Sequence, residues 1–128
     1  MKTITISTHT KDQIVDITDE IGGELEKGTV LNGLVTIFVS HTTCAITTAD
    51  LDPGTDKDFL DFLRNIVPEM KFRHPHDPSY APDHLLSSII GPMVTIPFQY
   101  KKLILGTWQR VILVELNGPR ERSVTISF

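Results

Sequence analysis

Five histidines punctuate the chain, His9, His41, His74, His76 and His84. Three of them stand where imidazole chemistry is easiest to build. His41 ends the apolar run LVTIFV and is followed by small residues, Thr42, Thr43, Cys44 and Ala45. A strand that only filled a core has no use for that ending; an imidazole backed by hydroxyls opens onto a small polar pocket. His74 heads the proline-rich stretch HPHDP. His84 lies in the first turn of a helical segment, with Ser87 and Ser88 on its face at i+3 and i+4. Three histidines from separate elements can converge on one metal ion, because catalytic zinc centres take three protein ligands and a water. No local signature such as HExxH accompanies them, so the spacing supports convergence only weakly, and three separate surface or hydrogen-bonded imidazoles are the commoner case. His76 either adds a ligand from the same extended segment or turns outward. Asp77 can orient a ligand histidine, as carboxylates behind metal sites do. His9 falls in a turn and is expected in solvent.

A second constellation is GTWQRVILVELNGPRER. In a strand, Gln109, Val111, Leu113 and Glu115 share one face, so Glu115 is an acid at the end of an apolar row. A carboxylate there needs a partner. A hairpin turning at Asn117-Gly118 sets it opposite Arg120; one turning at Gly118-Pro119 sets it opposite Arg122. The pair is either a cross-strand ion pair or an anion-binding arginine held by Glu115. Gly106 permits a close approach of backbone or ligand. Trp108, the only tryptophan, reads first as a core or interface anchor, then as a stacking platform for a heterocycle. Asp50, Asp52 and Asp58 gather around one turn. They either cap it and the helix that follows, or bind a hard cation such as Mg²⁺. Cys44 lies three residues past His41, on the opposite face of a shared strand, which disfavours a Cys–His nucleophile pair.

The elements that must carry these residues follow from periodicity. KTITIS and QIVDI alternate with period two and suggest a hairpin across THTKD. Thr18 or Asp19 caps a short helix through DEIGGELEK that ends at Gly28. NGLVTIFVS is apolar on both faces and is expected to be covered on both sides, with CAITTA as its neighbour. TDKDFLDFLRNIVP is the clearest helix, with a stripe of Phe59, Phe62, Leu63, Ile66 and Val67 and a capping-box spacing at Thr55 and Asp58. PDHLLSSIIG is a second helix, with Pro82 in its first turn and Gly91 just past its end. MVTIPF, KKLILGTW, QRVILVEL and RERSVTISF read as strands, the last two joined by the turn NGPR. About seven strands and three helices in mixed order predict an α+β fold with antiparallel sheets.

Composition bounds the rest. A chain of 128 residues fits one domain, residues 1–128, and can bury a core without disulfides or a structural metal. Apolar residues make up 40% and charged residues 22%, with a formal net charge of −4. No basic patch points to nucleic acid, and no apolar run reaches the roughly 18 residues that a membrane span needs. The N-terminus lacks the apolar block of a signal peptide, so a cytoplasmic location is expected. The single cysteine excludes an internal disulfide.

GLVTIFVSHTTCAITTADLDP, DHLLSSIIGP and LILGTWQRVILVELNGPRER, in that order, resemble the YjbQ family, also called the secondary thiamine-phosphate synthase family. HTT, GTWQ and E-x-(D/N)-G-P-R together are specific, and the match runs over nearly the whole chain. The resemblance implies a YjbQ-like sandwich of two mainly antiparallel sheets with about three helices, and a homotrimer. It implies that His41, His74 and His84 form a shared site for a divalent metal, zinc-like by its ligands or Mg²⁺ for a diphosphate. It places Gln109, Glu115 and Arg120 in recurring motifs. The implied activity is weak thiamine-phosphate synthesis, which joins a pyrimidine diphosphate to a thiazole phosphate and releases pyrophosphate. The expected roles are then catalytic for His41, Glu115 and Arg120, and substrate-binding for Thr42, Thr43, Trp108, Gln109 and Asp52, on a small anionic or phosphorylated metabolite. A metal-assisted hydrolase and a non-catalytic binding trimer are the alternatives. The chain departs from the family pattern at Ala49-Asp50, where an Asn-Glu pair is common, at Asp83, where alanine precedes the helix histidine, and in the turn FQYKK, where glycine is common.

Overall fold

The computed structural model describes residues 1–128. Eight strands and three helices follow one another as β1 (Lys2–Ser7), β2 (Gln13–Asp16), α1 (Thr18–Lys27), β3 (Asn32–Val39), β4 (Cys44–Asp50), α2 (Thr55–Asn65), α3 (Ala81–Ile90), β5 (Met93–Gln99), β6 (Lys102–Leu103), β7 (Gln109–Glu115) and β8 (Glu121–Ser127). A 3₁₀ turn, Pro78–Tyr80, leads into α3. One sheet has the order β1-β8-β3-β5-β6 and the other β2-β7-β4; every pairing is antiparallel. No helix is long and apolar enough to cross a membrane.

The layering follows from side-chain alternation. Val35, Ile37 and Val39 of β3, Ile96 and Phe98 of β5, and Val124 and Ile126 of β8 point inward. They meet Ile46 of β4 and Val111 and Leu113 of β7 in the larger core, which Ile17, Ile21 and Leu25 of α1 complete. The other face of the small sheet carries Ala45, Ile112, Val114 and Leu116, which pack under Leu63 of α2 and Leu86 of α3. β7 is therefore buried on both faces, and its run VILV needs no alternation.

Two expected hairpins do not form. β1 pairs with β8 and β2 with β7, while β7 and β8 lie in different sheets. Each pair is joined by five residues, 8–12 and 116–120, enough chain to cross the roughly 10 Å between packed sheets. β4 likewise lies across the sandwich from β3. The expectation that β3 is covered on both sides is also corrected: Leu34 is 64% exposed and Phe38 37%, because no layer covers the outer face of the large sheet.

The helices keep their predicted places with altered detail. α2 begins after Gly54, whose φ of 92° needs glycine, and neither Thr55 nor any other side chain caps it. Asp56 and Asp58 complement its N-terminus and Arg64 its last turn. Only Leu63 of its stripe is fully buried, while Phe62 and Ile66 are exposed. α1 starts without a side-chain cap as well; Thr18 instead donates its hydroxyl to Asp16 at 2.7 Å. α3 has Pro in its first turn and Gly91 at its C-terminus, as the sequence predicts.

Candidate functional site

The strongest polar feature is a buried ion pair between the sheets. Glu115 ends β7 facing the large sheet, and Arg122 begins the inward row of β8. They are 0% and 3% exposed. Arg122 donates Nη2 to Oε1 at 2.5 Å and Nε to Oε2 at 2.8 Å, a bidentate pair. The Thr8 hydroxyl donates to Oε2 at 2.8 Å and the Asn117 amide to Oε1 at 3.0 Å. Nη2 of Arg122 also reaches the Thr43 hydroxyl at 2.9 Å. Burial pushes the Glu115 carboxyl up, but Arg122, the Asn117 amide and the Thr8 hydroxyl outweigh it and hold the group below the usual carboxylate range. The partner is therefore Arg122, reached across the sandwich and not along a hairpin. Arg120 is left free of Glu115.

Arg122 of this pair borders a cleft of about 440 Å³ whose other lining residues are Ser40, His41, Thr42, Thr43, Tyr80, His84, Asn117 and Arg120. His41 sits just past β3, and its Nε2 accepts the Ser123 amide at 2.9 Å. With Nε2 occupied, the neutral ring carries its proton on Nδ1. Burial lowers the ring's pKa, and the positive Arg122 and Arg120 lower it too, against an opposing pull from Glu115. His41 is thus a neutral imidazole with a free N–H. Arg120 donates Nε to the Asn117 carbonyl at 2.8 Å, which leaves both terminal nitrogens without a partner. Its main chain is fixed by Thr8, which donates its amide to the Arg120 carbonyl at 2.8 Å.

His84 reaches the cleft from α3. His74 stacks on it, ring centroids 4.9 Å apart and planes 25° apart. His74 Nδ1 donates to the Asp77 carbonyl at 3.0 Å, so Asp77 does orient His74, but through its main chain. Its carboxylate accepts the Ser79 amide at 3.0 Å and caps the 3₁₀ turn. His76 is exposed and stands outside the cleft.

The imidazoles as they stand do not form a ligand set. A metal ion lies in the plane of each imidazole that binds it, about 2.0–2.1 Å from the nitrogen. Nearly parallel, stacked rings do not both aim at one such point, and the Nε2 lone pair of His41 is engaged. No three His, Cys, Asp or Glu side chains stand together in a metal-holding arrangement.

The remaining predicted residues sort to the other end of β7. Gln109 opens the strand that Glu115 closes, about 20 Å away at 3.4 Å per residue. Trp108, 69% exposed, lines a separate cleft with Gln109, Thr48 and Asp50; it is not a core residue. Gln109 donates to the Thr48 hydroxyl at 2.9 Å. The Asp52 amide is held by the Asp50 carboxylate at 2.9 Å, and its carbonyl accepts the Thr55 amide at 2.8 Å. Asp52 therefore shapes the turn. Cys44 is buried, and burial pushes its thiol up to about 11, where it stays protonated and unreactive. Tyr80 and Ser40 belong to the cleft and were not anticipated. Tyr80 precedes His84 by one helical turn, a spacing that could have pointed to it.

Comparison with known proteins extends this picture. A family model described as UPF0047 protein YjbQ-like matches residues 2–128. A UPF0047 protein of Archaeoglobus fulgidus is 36% identical over 124 residues, 96% of both chains. The UPF0047 protein YugU of Bacillus subtilis is 32% identical over 127 residues, covering 98% of this chain and 96% of that one. Among solved structures, a YbjQ-like protein of unknown function from Sulfolobus solfataricus superposes with a TM-score of 0.90 at 35% identity, over 98% of this chain and 92% of its own. An uncharacterised YjbQ/UPF0047 protein of Clostridium acetobutylicum gives 0.90 at 30% identity, over 99% and 98%.

Proposed function

The chain belongs to the YjbQ-like UPF0047 family, and on that premise we propose that it is a small enzyme whose His41 cleft binds a phosphorylated or otherwise anionic metabolite. One observation carries this. No acid lines the cleft: Glu115 is sealed and neutralised by Arg122, while Arg120, His41 and Thr42 are all part of its lining. A donor-rich, cationic hollow with no free carboxylate selects an oxyanion.

Transfer chemistry of the thiamine-phosphate type suits such a hollow. As the carbon–oxygen bond between the pyrimidine portion and its diphosphate breaks and the thiazole phosphate bonds to that carbon, negative charge gathers on the departing pyrophosphate. Arg120 stabilises that charge, and His41 donates through Nδ1 without itself being charged. Thr42 and Thr43 orient the oxygens. Mg²⁺ would arrive with the diphosphate, since it prefers phosphate oxygens and water to imidazole. The second copy needed for a homotrimer finds an apolar surface on the large sheet, where Leu34, Phe38 and Met93 are exposed.

The test uses Arg120→Ala and His41→Ala, both outside the core. Titration with pyrophosphate should show affinity about 10–100-fold weaker for Arg120→Ala, the loss of a charge-assisted hydrogen bond. Thiamine phosphate formed from its two precursors should fall to background in both variants. Wild-type protein that neither binds pyrophosphate nor outpaces the two variants dismisses the reading.

A further inference from the structure

Two residues of the cleft have immediate chain neighbours that meet in a second charged cluster. Arg64, in the last turn of α2, donates Nε and Nη2 to Asp12 at 2.8 and 2.5 Å. Its Nη1 reaches Asp83 at 2.8 Å and its Nη2 the Leu116 carbonyl at 3.1 Å. Lys11 Nζ lies 3.2 Å from both Asp83 oxygens and 3.1 Å from the same carbonyl. Asp83 is 0% exposed. Two cations and two acids balance, and no buried side-chain polar atom is left without a partner.

Apolar residues often fill such a space with equal or greater stability, so a cluster like this is weak evidence for a stabilising role. What it supplies is direction, because a guanidinium fork fixes the geometry of the groups it bridges. The bridged groups are informative. Asp83 precedes His84, on which His74 stacks. The Leu116 carbonyl precedes Asn117, which in turn holds Arg120. α2 contributes no residue to the cleft lining, yet its last turn grips both of these walls.

We propose that Arg64 is a positioning residue: by bridging Asp83 and the Leu116 carbonyl, it sets the His84 wall of the cleft against the wall that carries Asn117 and Arg120. The functional consequence rests on the anion-binding reading above; the geometric claim does not.

Arg64→Met and Arg64→Lys, followed by NMR of the histidine ring signals and by titration with pyrophosphate, test this. In Arg64→Met the His74 and His84 signals should move together, since each ring's shift depends on its stacked partner. The His41 signals should stay, because Ser123 holds that ring. Pyrophosphate affinity should fall about tenfold, the equivalent of one misaligned charge-assisted contact, and Arg64→Lys should recover part of both effects. Unshifted His74 and His84 signals, an unchanged affinity, or equal movement of His41 overturns the proposal. So does failure of both variants to fold, which makes Arg64 merely structural. If the wild type binds no pyrophosphate, the anion reading fails, and the ring signals still decide the positioning claim.

Discussion

The Glu115–Arg122 pair is the residue-scale feature on which the cleft depends. Taking two charges out of water is costly, and the bidentate contact with its Thr8, Thr43 and Asn117 bonds offsets that cost. Removing one partner strands the other. Glu115→Ala should therefore destabilise the fold by about 3–5 kcal/mol, read as a shift in the urea midpoint. Replacing both residues with apolar ones of similar volume, Glu115→Leu with Arg122→Met, should cost less than the single change. A double variant as unstable as the sum of its singles would show that the pair is not coupled. The pH dependence carries a definite sign. The folded pKa of Glu115 is depressed, so its contribution is complete above the unfolded value near 4.3 and fades as pH falls through the lower folded value. Acid unfolding of Glu115→Gln should lack that component. Glu115 also raises the His41 pKa while Arg122 lowers it. Proton NMR should find His41 titrating below 6.5 in the wild type, and lower still in Glu115→Gln.

At the scale of elements, the 116–120 connection does more than turn the chain. It carries the strand ends across the sandwich and delivers Asn117 and Arg120 to the cleft. Gly118 is packed so tightly that an added Cβ would lie 2.3 Å from the Thr10 carbonyl oxygen and 2.9 Å from Glu115 Cγ. The first of these is backbone and cannot swing away. Gly118→Ala should lower stability by about 1–3 kcal/mol, the usual cost of forcing volume into a filled space, and should weaken pyrophosphate binding by displacing Arg120. A thermal melt and a titration measure the two effects; an unaltered affinity would separate the loop from the site. This connection also marks the boundary of what the sequence made legible. The strand faces were readable, because alternation alone put Glu115 among Val111 and Leu113. The helix bounds were readable from Pro82 and Gly91. The pairing of strands was not, because local signals report a turn but not which sheet the chain enters after it. NGPR looks like a hairpin, yet the partner of Glu115 is set by the spacing between sheets. The site divided for the same reason: GTWQ and E-x-N-G-P-R are close in sequence, but they are opposite ends of one extended strand. Exposure of Phe62, Ile66, Leu34 and Phe38 escaped the periodicity argument too, since a stripe shows that a face is apolar and not what covers it.

For the whole molecule, that uncovered apolar surface is the remaining problem. The outer face of the large sheet brings Phe38 opposite Met93 and Leu34 opposite Pro97, with the Thr36 and Thr95 hydroxyls 2.9 Å apart between them. Phe38 and Met93 are 37% and 55% exposed. Exposed apolar groups clustered in this way mark an interaction surface. The patch is next to the cleft along the chain, since Phe38 is followed within three residues by His41. Thr125 of β8, opposite Phe38, lies two residues from Ser123, whose amide holds His41. A homotrimer docked through this face would therefore border the mouth of each cleft. Phe38→Asp places a charge within the patch without touching the core behind it. Light scattering after gel filtration should give three times the 14.3 kDa chain mass for the wild type and the single-chain mass for Phe38→Asp, with the circular dichroism of the folded sandwich retained. The melting temperature of the wild type should rise with protein concentration, as mass action requires when only assembled chains are stabilised, and that of Phe38→Asp should not. A wild type that runs at single-chain mass at all concentrations would rule out the trimer. A Phe38→Asp variant that remains trimeric would move the contact elsewhere, the open apolar cleft between α2 and α3 around Ile66, Met70 and Leu85 being the next surface to substitute.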